Sequence, residues 1–317
     1  MELLKYIKNS SSALIVCHIR PDGDTLGSGF AIWRLFNAMG KKADIVSDSD
    51  NPPYYSFLPN FQMLNVQAQK KYDLVIVCDC AEAKRMGKFA DYAYSVLSIN
   101  IDHHKTNDYF CKVNYVIGEL SSTCELVYDI FKSEKVFETF DSEVLKDIAY
   151  CLFVGLSTDT GHFMHSSVTP KTLAIAAELA ALGLNVNEIA THLYRSNTKK
   201  RQNLVAHTIN SMRFFENDEI CIMTITLNDL KKFDCTASDL EGLIDLGLNL
   251  KGTMVAVLLN EQSEEVYKVS FRSKKMDVSA VAAQFNGGGH TKAAGGLIKG
   301  YYEDVVDAIV KAIRDFS

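Results

Sequence analysis

The sequence predicts an α/β protein, with a parallel-sheet domain covered by helices on both faces and a smaller α/β domain after it. Three observations lead there. Short apolar runs at Ala13–Cys17, Leu74–Cys78 and Val96–Ile101 alternate with helix-like stretches, the pattern of parallel strands joined by crossover helices. These runs lack polar alternation, as strands buried on both faces do. The 317 residues exceed what one ordinary core organises, and the polar stretch Arg195–Gln202 reads as a connection. The predicted division is a first domain at 1–194, a linker at 195–212 and a second domain at 213–317.

Taken in order, Ala13–Cys17 is the first strand. Leu26, Phe30, Trp33 and Met39 then recur near helical spacing within Thr25–Met39, and Gly40 supplies a stop. Asn51-Pro-Pro-Tyr-Tyr55 breaks regular structure and predicts a surface loop. Leu74–Cys78 and Val96–Ile101 are the next strands. Ser122–Phe131 and Val144–Leu156 predict apolar helices, and Lys171–Tyr194 reads as helical. Beyond the connection, Glu219–Thr226, Thr253–Asn260 and Val266–Arg272 predict strands, while Val278–Phe285 and Val305–Phe316 predict helices. The sequence contains no internal repeat and no low-complexity tract.

Composition narrows the class. Hydrophobic residues at 47%, charged residues at 23%, 5 Pro and 18 Gly exclude a disordered or fibrous chain. The 8 cysteines are scattered, several inside apolar runs, with no Cys-x-x-Cys pair, so they predict reduced core thiols in a cytosol. Ala13–Cys17 is too short for a signal-peptide core, and no run approaches the twenty or so apolar residues of a membrane helix. A cytoplasmic protein with no membrane partner is expected, and a homodimer is the default assembly. The net charge of −6 excludes a protein that coats long nucleic acid through a basic face.

The chemistry lies at the strand ends, because each of the three clearest strands runs into metal-type ligands. Cys17 is followed by His18, then Asp22 and Asp24; Cys78 by Asp79; Ile101 by Asp102, His103 and His104. In an open parallel sheet the carboxyl ends of the strands share one edge, and ligands bind in the crevice outside it, so these segments can converge. Asp159 in Gly155-Leu-Ser-Thr-Asp159-Thr-Gly161 is a further candidate. A lone Asp after a strand is most often a turn or cap residue. Repetition at successive strand ends is what the cap reading does not explain.

Carboxylate and imidazole without thiolate suit Mn²⁺ or a related divalent ion better than structural zinc. His18, Asp22, Asp24, Asp79, His103 and Asp159 are too many for one ion with open positions, and suit a pair sharing a bridging carboxylate. Two ions about 3.5–4 Å apart can clamp a phosphoryl group, generate a hydroxide and stabilise the leaving oxygen of an in-line displacement. Pro21 and Gly23 would fix the loop that turns Asp22 and Asp24 apart. In the second domain, Asn286-Gly-Gly-Gly-His290-Thr-Lys292-Ala-Ala-Gly-Gly296 offers backbone N–H groups to an anion, with His290 or Lys292 adding a donor. Arg272, at a strand end, could grip phosphate bidentately, and a plain surface arginine is the equal alternative without its neighbours.

On these residues the chain resembles the DHH phosphoesterases, in the branch carrying a DHHA1 C-terminal domain, over nearly its whole length. His18-x-x-Pro-Asp22-x-Asp24-x-x-Gly27-Ser28 looks like the first motif, Asp79 the second, Asp102-His103-His104 the third and Asp159-Thr-Gly161 the fourth. Gly287-Gly-Gly-His290 with Ala293-Ala-Gly295 is similar to the DHHA1 glycine motif. The pattern departs at Cys78 and Cys80, which flank Asp79 where other small residues are expected.

The resemblance implies two Mn²⁺ ions, with Mg²⁺ or another divalent ion as substitutes. His18, Asp22 and Asp79 would hold one ion, and Asp24, Asp79, His103 and Asp159 the other. Asp102 would orient a neighbouring histidine, and His104 would act beside the scissile phosphate. Ser121, Ser122 and Thr123 would lie near substrate, and Arg272 with Gly287, Gly288, Gly289 and His290 would hold a terminal phosphate or base. A chain of this length without sensor segments looks like the group that hydrolyses short oligoribonucleotides (nanoRNA) and 3′-phosphoadenosine-5′-phosphate (pAp). Its partners would be short single-stranded oligonucleotides or mononucleotides, not long duplexes. Hydrolysis of cyclic di-AMP or its linear product pApA, and nucleotide binding without turnover, are the competing readings.

Overall fold

The structure is a computed structural model and describes residues 2–67 and 71–316. Two compact units, Met1–Ser196 and Asn197–Ser317, divide the chain. In the first, β1 (Ser12–Cys17), β2 (Lys42–Val46), β3 (Leu74–Cys78), β4 (Leu97–Asp102) and β5 (Val113–Val116) form a parallel sheet in the order β2-β1-β3-β4-β5. Around it lie α1 (Leu3–Asn9), α2 (Gly23–Ala38), α3 (Tyr92–Ser95), α4 (Thr123–Ser133), α5 (Val136–Thr139), α6 (Ser142–Asp159), α7 (Pro170–Ala181) and α8 (Val186–Tyr194).

The all-apolar runs are explained by burial on both faces. Ala13, Ile15, Ile76 and Ile99 join a core with Leu26 and Phe30 of α2, Leu126 of α4 and Leu152 of α6. Their neighbours Leu14, Val16, Val75 and Val77 pack on the opposite side with Met86 and Phe89. The edge strands β2 and β5 were not foreseen. An edge strand is only partly covered and tolerates polar residues, and Lys42, Asp44 and Asn114 hide the signal there. The helical reading of 171–194 resolves into α7 and α8, separated by a turn in which Gly183 has φ 91°. The Pro52–Pro53 loop is a short 3₁₀ turn, and it buries Tyr55 rather than lying wholly on the surface.

Register sets the chemistry. Cys17 lies opposite Cys78, and Cys78 opposite Ile101, so the residues after β1, β3 and β4 leave the same edge side by side. The strand order reverses between β1 and β3, the switch point where the crevice of such a sheet opens. Close helix packing brings a fourth segment there. A Cβ on Gly27 would lie 2.4 Å from the Cys151 carbonyl oxygen, and one on Gly155 2.2 Å from Cys124 Sγ. Only the absence of these side chains lets α2, α4 and α6 approach, and Gly23 consequently rests against Thr158, beside Asp159.

In the second unit, β6 (Arg213–Phe215), β7 (Ile220–Ile225), β8 (Val255–Ser263), β9 (Val266–Ser273), β10 (Gly288–His290) and β11 (Ala293–Lys299) form a mixed sheet in the order β10-β11-β9-β8-β7-β6. Its helices are α9 (Lys199–Asn210), α10 (Leu227–Lys232), α11 (Asp245–Leu248), α12 (Val278–Ala283) and α13 (Tyr302–Asp315). Val269 and Phe271 pack with Val281 of α12 and Ile309 of α13, while Met223 and Leu258 on the other face meet Leu204 of α9. Within 195–212 the division between units falls after Ser196, and α9 belongs to the second core through Leu204. Among the described residues no single helix is long and apolar enough to cross a membrane.

Candidate metal centre

Local structure aims each group. Thr25, in the first turn of α2, donates its hydroxyl to the Cys78 carbonyl at 2.9 Å and accepts from His18 N at 3.3 Å, tying β1, α2 and β3 together. Asp22 caps α2: its Oδ1 accepts from Asp24 N and Thr25 N, both at 3.1 Å, which leaves Oδ2 3.4 Å from His18 Nε2. Asp79 follows β3 in the left-handed region at φ 59°, a conformation Asp tolerates and one that concentrates where function demands it. Its Oδ2 lies 3.5 Å from His18 Nε2 and its Oδ1 3.6 Å from His103 Nε2. Asp24 Oδ2 is 3.9 Å and Asp159 Oδ2 3.4 Å from the same His103 nitrogen.

The imidazoles are held from behind. His18 Nδ1 lies 2.9 Å from the Ile19 carbonyl and His103 Nδ1 3.2 Å from the Leu120 carbonyl. A carbonyl only accepts, so each Nδ1 carries the proton and each Nε2 faces the carboxylates, as metal-ligating histidines are arranged. Fully buried Asp102 accepts from His103 N at 2.9 Å and from His104 Nδ1 at 2.7 Å, and Asn107 donates to its other oxygen.

Spacing and charge both fit divalent ions. Donors around an ion at about 2.1 Å lie about 3 Å apart at adjacent octahedral positions and about 4 Å apart at opposite ones. The separations of 3.4–3.9 Å fall inside that span and are longer than the usual hydrogen-bond distance. His18-Asp22-Asp79 and Asp24-His103-Asp159 form two groups of mutually close donors, and Asp79 also groups with His103 and His104. Burial opposes charge on His18, yet Asp22 and Asp79 outweigh it and lift the imidazole to about 10. His103 rises to about 9 because Asp24, Asp79 and Asp159 overcome the same burial. Burial and then the Asp79 charge push Asp24 up to about 7, and burial with the Asp24 charge drives Asp159 well above the carboxylate range. Asp22 goes the other way: against burial, His18 and two backbone amides hold it low. The cluster calls for positive charge.

The structure therefore brings together His18, Asp22, Asp24, Asp79, His103 and Asp159, with Asp102 and His104 beside them. Ser121 and Ser122, expected near substrate, are buried and committed elsewhere: Ser121 donates to Glu125 at 2.5 Å, and Ser122 caps α4 by accepting Glu125 N at 3.0 Å. Their neighbour Thr123 is the member of the segment that touches the cluster, donating to Asp79 Oδ1 at 2.9 Å. Sequence reasoning placed Thr123 near substrate with Ser121 and Ser122 but not against Asp79, and it missed Asn107 and Thr25, since a Thr or Asn near a helix start carries no signal beyond capping. Cys78 and Cys80 are buried core thiols, their acidity suppressed by burial.

In the second unit Arg272 lies opposite Ala293 in the β9–β11 ladder, and Ala293 is in turn the partner of His290 in the β10–β11 ladder. Its Nη1 donates to the Phe271 carbonyl at 3.2 Å. Gly287 is required by contact, because a Cβ there would lie 2.0 Å from the Gly295 carbonyl oxygen. Gly288 and Gly289 lie in β10. The side chain of His290 lies outside the described residues.

Residues 12–156 match the model of the DHH family, N-terminal domain, and residues 217–317 that of the DHHA1 domain. The chain is similar to the bifunctional oligoribonuclease and PAP phosphatase NrnA of Thermus thermophilus, at 30% identity over 99% of this chain and 92% of that protein. It is also similar to the protein of the same name from Bacillus subtilis, at 27% identity over 98% of this chain and 96% of that one. Among solved structures, an exopolyphosphatase-related protein from Bacteroides fragilis superposes with a TM-score of 0.91 at 25% identity, covering 99% of this chain and 95% of that chain.

Proposed function

Since this chain belongs to the DHH family and carries the DHHA1 domain, we propose that it is a metal-dependent phosphoesterase hydrolysing short oligoribonucleotides and pAp. The observation that carries the reading is the Asp79 carboxylate, whose two oxygens face two different histidines, each with its own further carboxylates. His18, Asp22 and Asp79 would hold one divalent ion, and Asp24, Asp79, His103 and Asp159 a second, Mn²⁺ being the ion that suits this donor set. When bound, such ions supply positive charge to a phosphoryl group and acidity to an attacking water.

The chain's own residues do the rest. His18 and His103 present Nε2 because backbone carbonyls hold the opposite nitrogen. Asp102 fixes the Nδ1 proton of His104, and that imidazole would hold or deliver a proton at a substrate oxygen. Against burial, Asp102 and Asp79 raise His104 above the usual imidazole value, which favours the protonated, donating form. In the second unit, Arg272 and the Gly287–Gly289 backbone with His290 would bind a terminal phosphate or base of the substrate.

The test supplies Mn²⁺ and compares pAp, pApA, cyclic di-AMP, RNA of graded length and pyrophosphate. Turnover of pAp and the shortest RNAs, falling with length, is expected. Turnover of pyrophosphate alone would overturn the reading. A marked preference for cyclic di-AMP would reassign the substrate, and tight nucleotide binding without turnover of any compound would make the chain a regulatory module.

A further inference from the structure

We propose that Thr123 is a positioning residue that sets the plane of the Asp79 carboxylate for metal binding, within a first turn of α4 that orients Asp24 in the same way. The inference rests on the metal reading above. A helix leaves its first amides without intrahelical partners, so their destinations can be accounted for one by one. At α4 the Ser122 hydroxyl takes the Glu125 amide at 3.0 Å. The Thr123 and Cys124 amides donate instead to Asp24, to Oδ2 at 2.6 Å and to Oδ1 at 2.9 Å. The Thr123 hydroxyl, fully buried, donates to Asp79 Oδ1 at 2.9 Å, the oxygen that lies 3.6 Å from both His103 Nε2 and His104 Nδ1.

Two physical points make this an arrangement for metal binding. The terminal torsion of Asp is soft, so the plane of its carboxylate is set by what hydrogen-bonds to it. Thr, by contrast, is stiff at χ1, and its hydroxyl is a fixed reference. The donors are also all neutral: amides and a hydroxyl orient the two carboxylates without cancelling the negative charge that a cation needs. A Lys or Arg in the same place would hold the carboxylate as firmly and compete with the ion.

The test titrates Mn²⁺ calorimetrically into metal-free wild type, Thr123→Val and Thr123→Ser. Removing an outer hydrogen-bond partner of a ligand weakens metal affinity about 10- to 100-fold, and that loss is expected for Thr123→Val. Thr123→Ser, which keeps the hydroxyl, should return the affinity to within about threefold of wild type. Thr123→Ala is read in the same way should the valine variant fail to fold. Wild-type affinity in the hydroxyl-less variants overturns the inference, as does a serine variant as weak as the valine variant. Wild type that binds no Mn²⁺ overturns the metal reading and this inference with it.

Discussion

Asp79 concentrates the chemistry at the scale of single residues. It follows a strand whose ladder it extends, donating its N–H to the Ile101 carbonyl at 3.0 Å, then turns into the left-handed region with both oxygens toward histidines. Asp79→Ala removes the carboxylate that faces both His18 and His103, and it is expected to abolish Mn²⁺-dependent hydrolysis while circular dichroism stays unchanged. A wild-type rate would remove the bridging role. Asp102→Asn takes the charge from the partner of His104 Nδ1, and a fall in kcat with the Mn²⁺ stoichiometry intact is expected. An unchanged kcat would dismiss Asp102 as an orienting group. The candidate ligands were legible because they follow an apolar strand run, stand in the His18–Asp24 spacing or, for Asp159, close an apolar helix. The contact of Thr123 with Asp79 was not, because it spans 44 positions and exists only once α4 docks on the sheet edge.

For the elements, site geometry depends on how closely the helices approach. A Cβ on Gly155 would meet Cys124 Sγ at 2.2 Å and Asp24 Oδ1 at 3.0 Å, so Gly155→Ala forces α6 away from both α4 and α2. Overpacking of this kind costs about 1–3 kcal/mol. At about 2–4 °C per kcal/mol the thermal transition should fall by several degrees. Mn²⁺ affinity should fall with it, because α6 carries Asp159; an unchanged transition would show that the helices adjust freely. In the second unit the α10 cap gives a pH dependence. Against burial, Thr226 and His207 hold Asp229 below its ordinary 3.8, so its stabilisation is full above that value and is lost as pH falls through the depressed one. The thermal midpoints of wild type and Asp229→Ala should therefore converge on acidification, and a constant gap would mean that the carboxylate charge is irrelevant. Central strands were readable as unbroken apolar runs. Edge strands β2 and β5 and the glycine strands β10 and β11 were not, because partial burial and missing side chains erase the periodicity.

At the scale of the whole molecule, each unit has its own core, and the proposed function gives each its own task. The first gathers five of the chain's 39 acids, Asp22, Asp24, Asp79, Asp102 and Asp159, at one place, where divalent ions would offset them. The second offers Arg272 beside the glycine hairpin. Arg272→Ala is expected to raise KM for pAp at least tenfold, the cost of about 1.4 kcal/mol of lost phosphate contact, with Mn²⁺ binding unchanged; an unchanged KM would remove its role. The central claim is a pair of ions sharing Asp79, and Mn²⁺ anomalous diffraction from crystals of the full chain tests it most directly. Two peaks are predicted, one among His18, Asp22 and Asp79 and one among Asp24, Asp79, His103 and Asp159. A single peak, or a pair in which Asp79 contacts only one ion, would contradict the account.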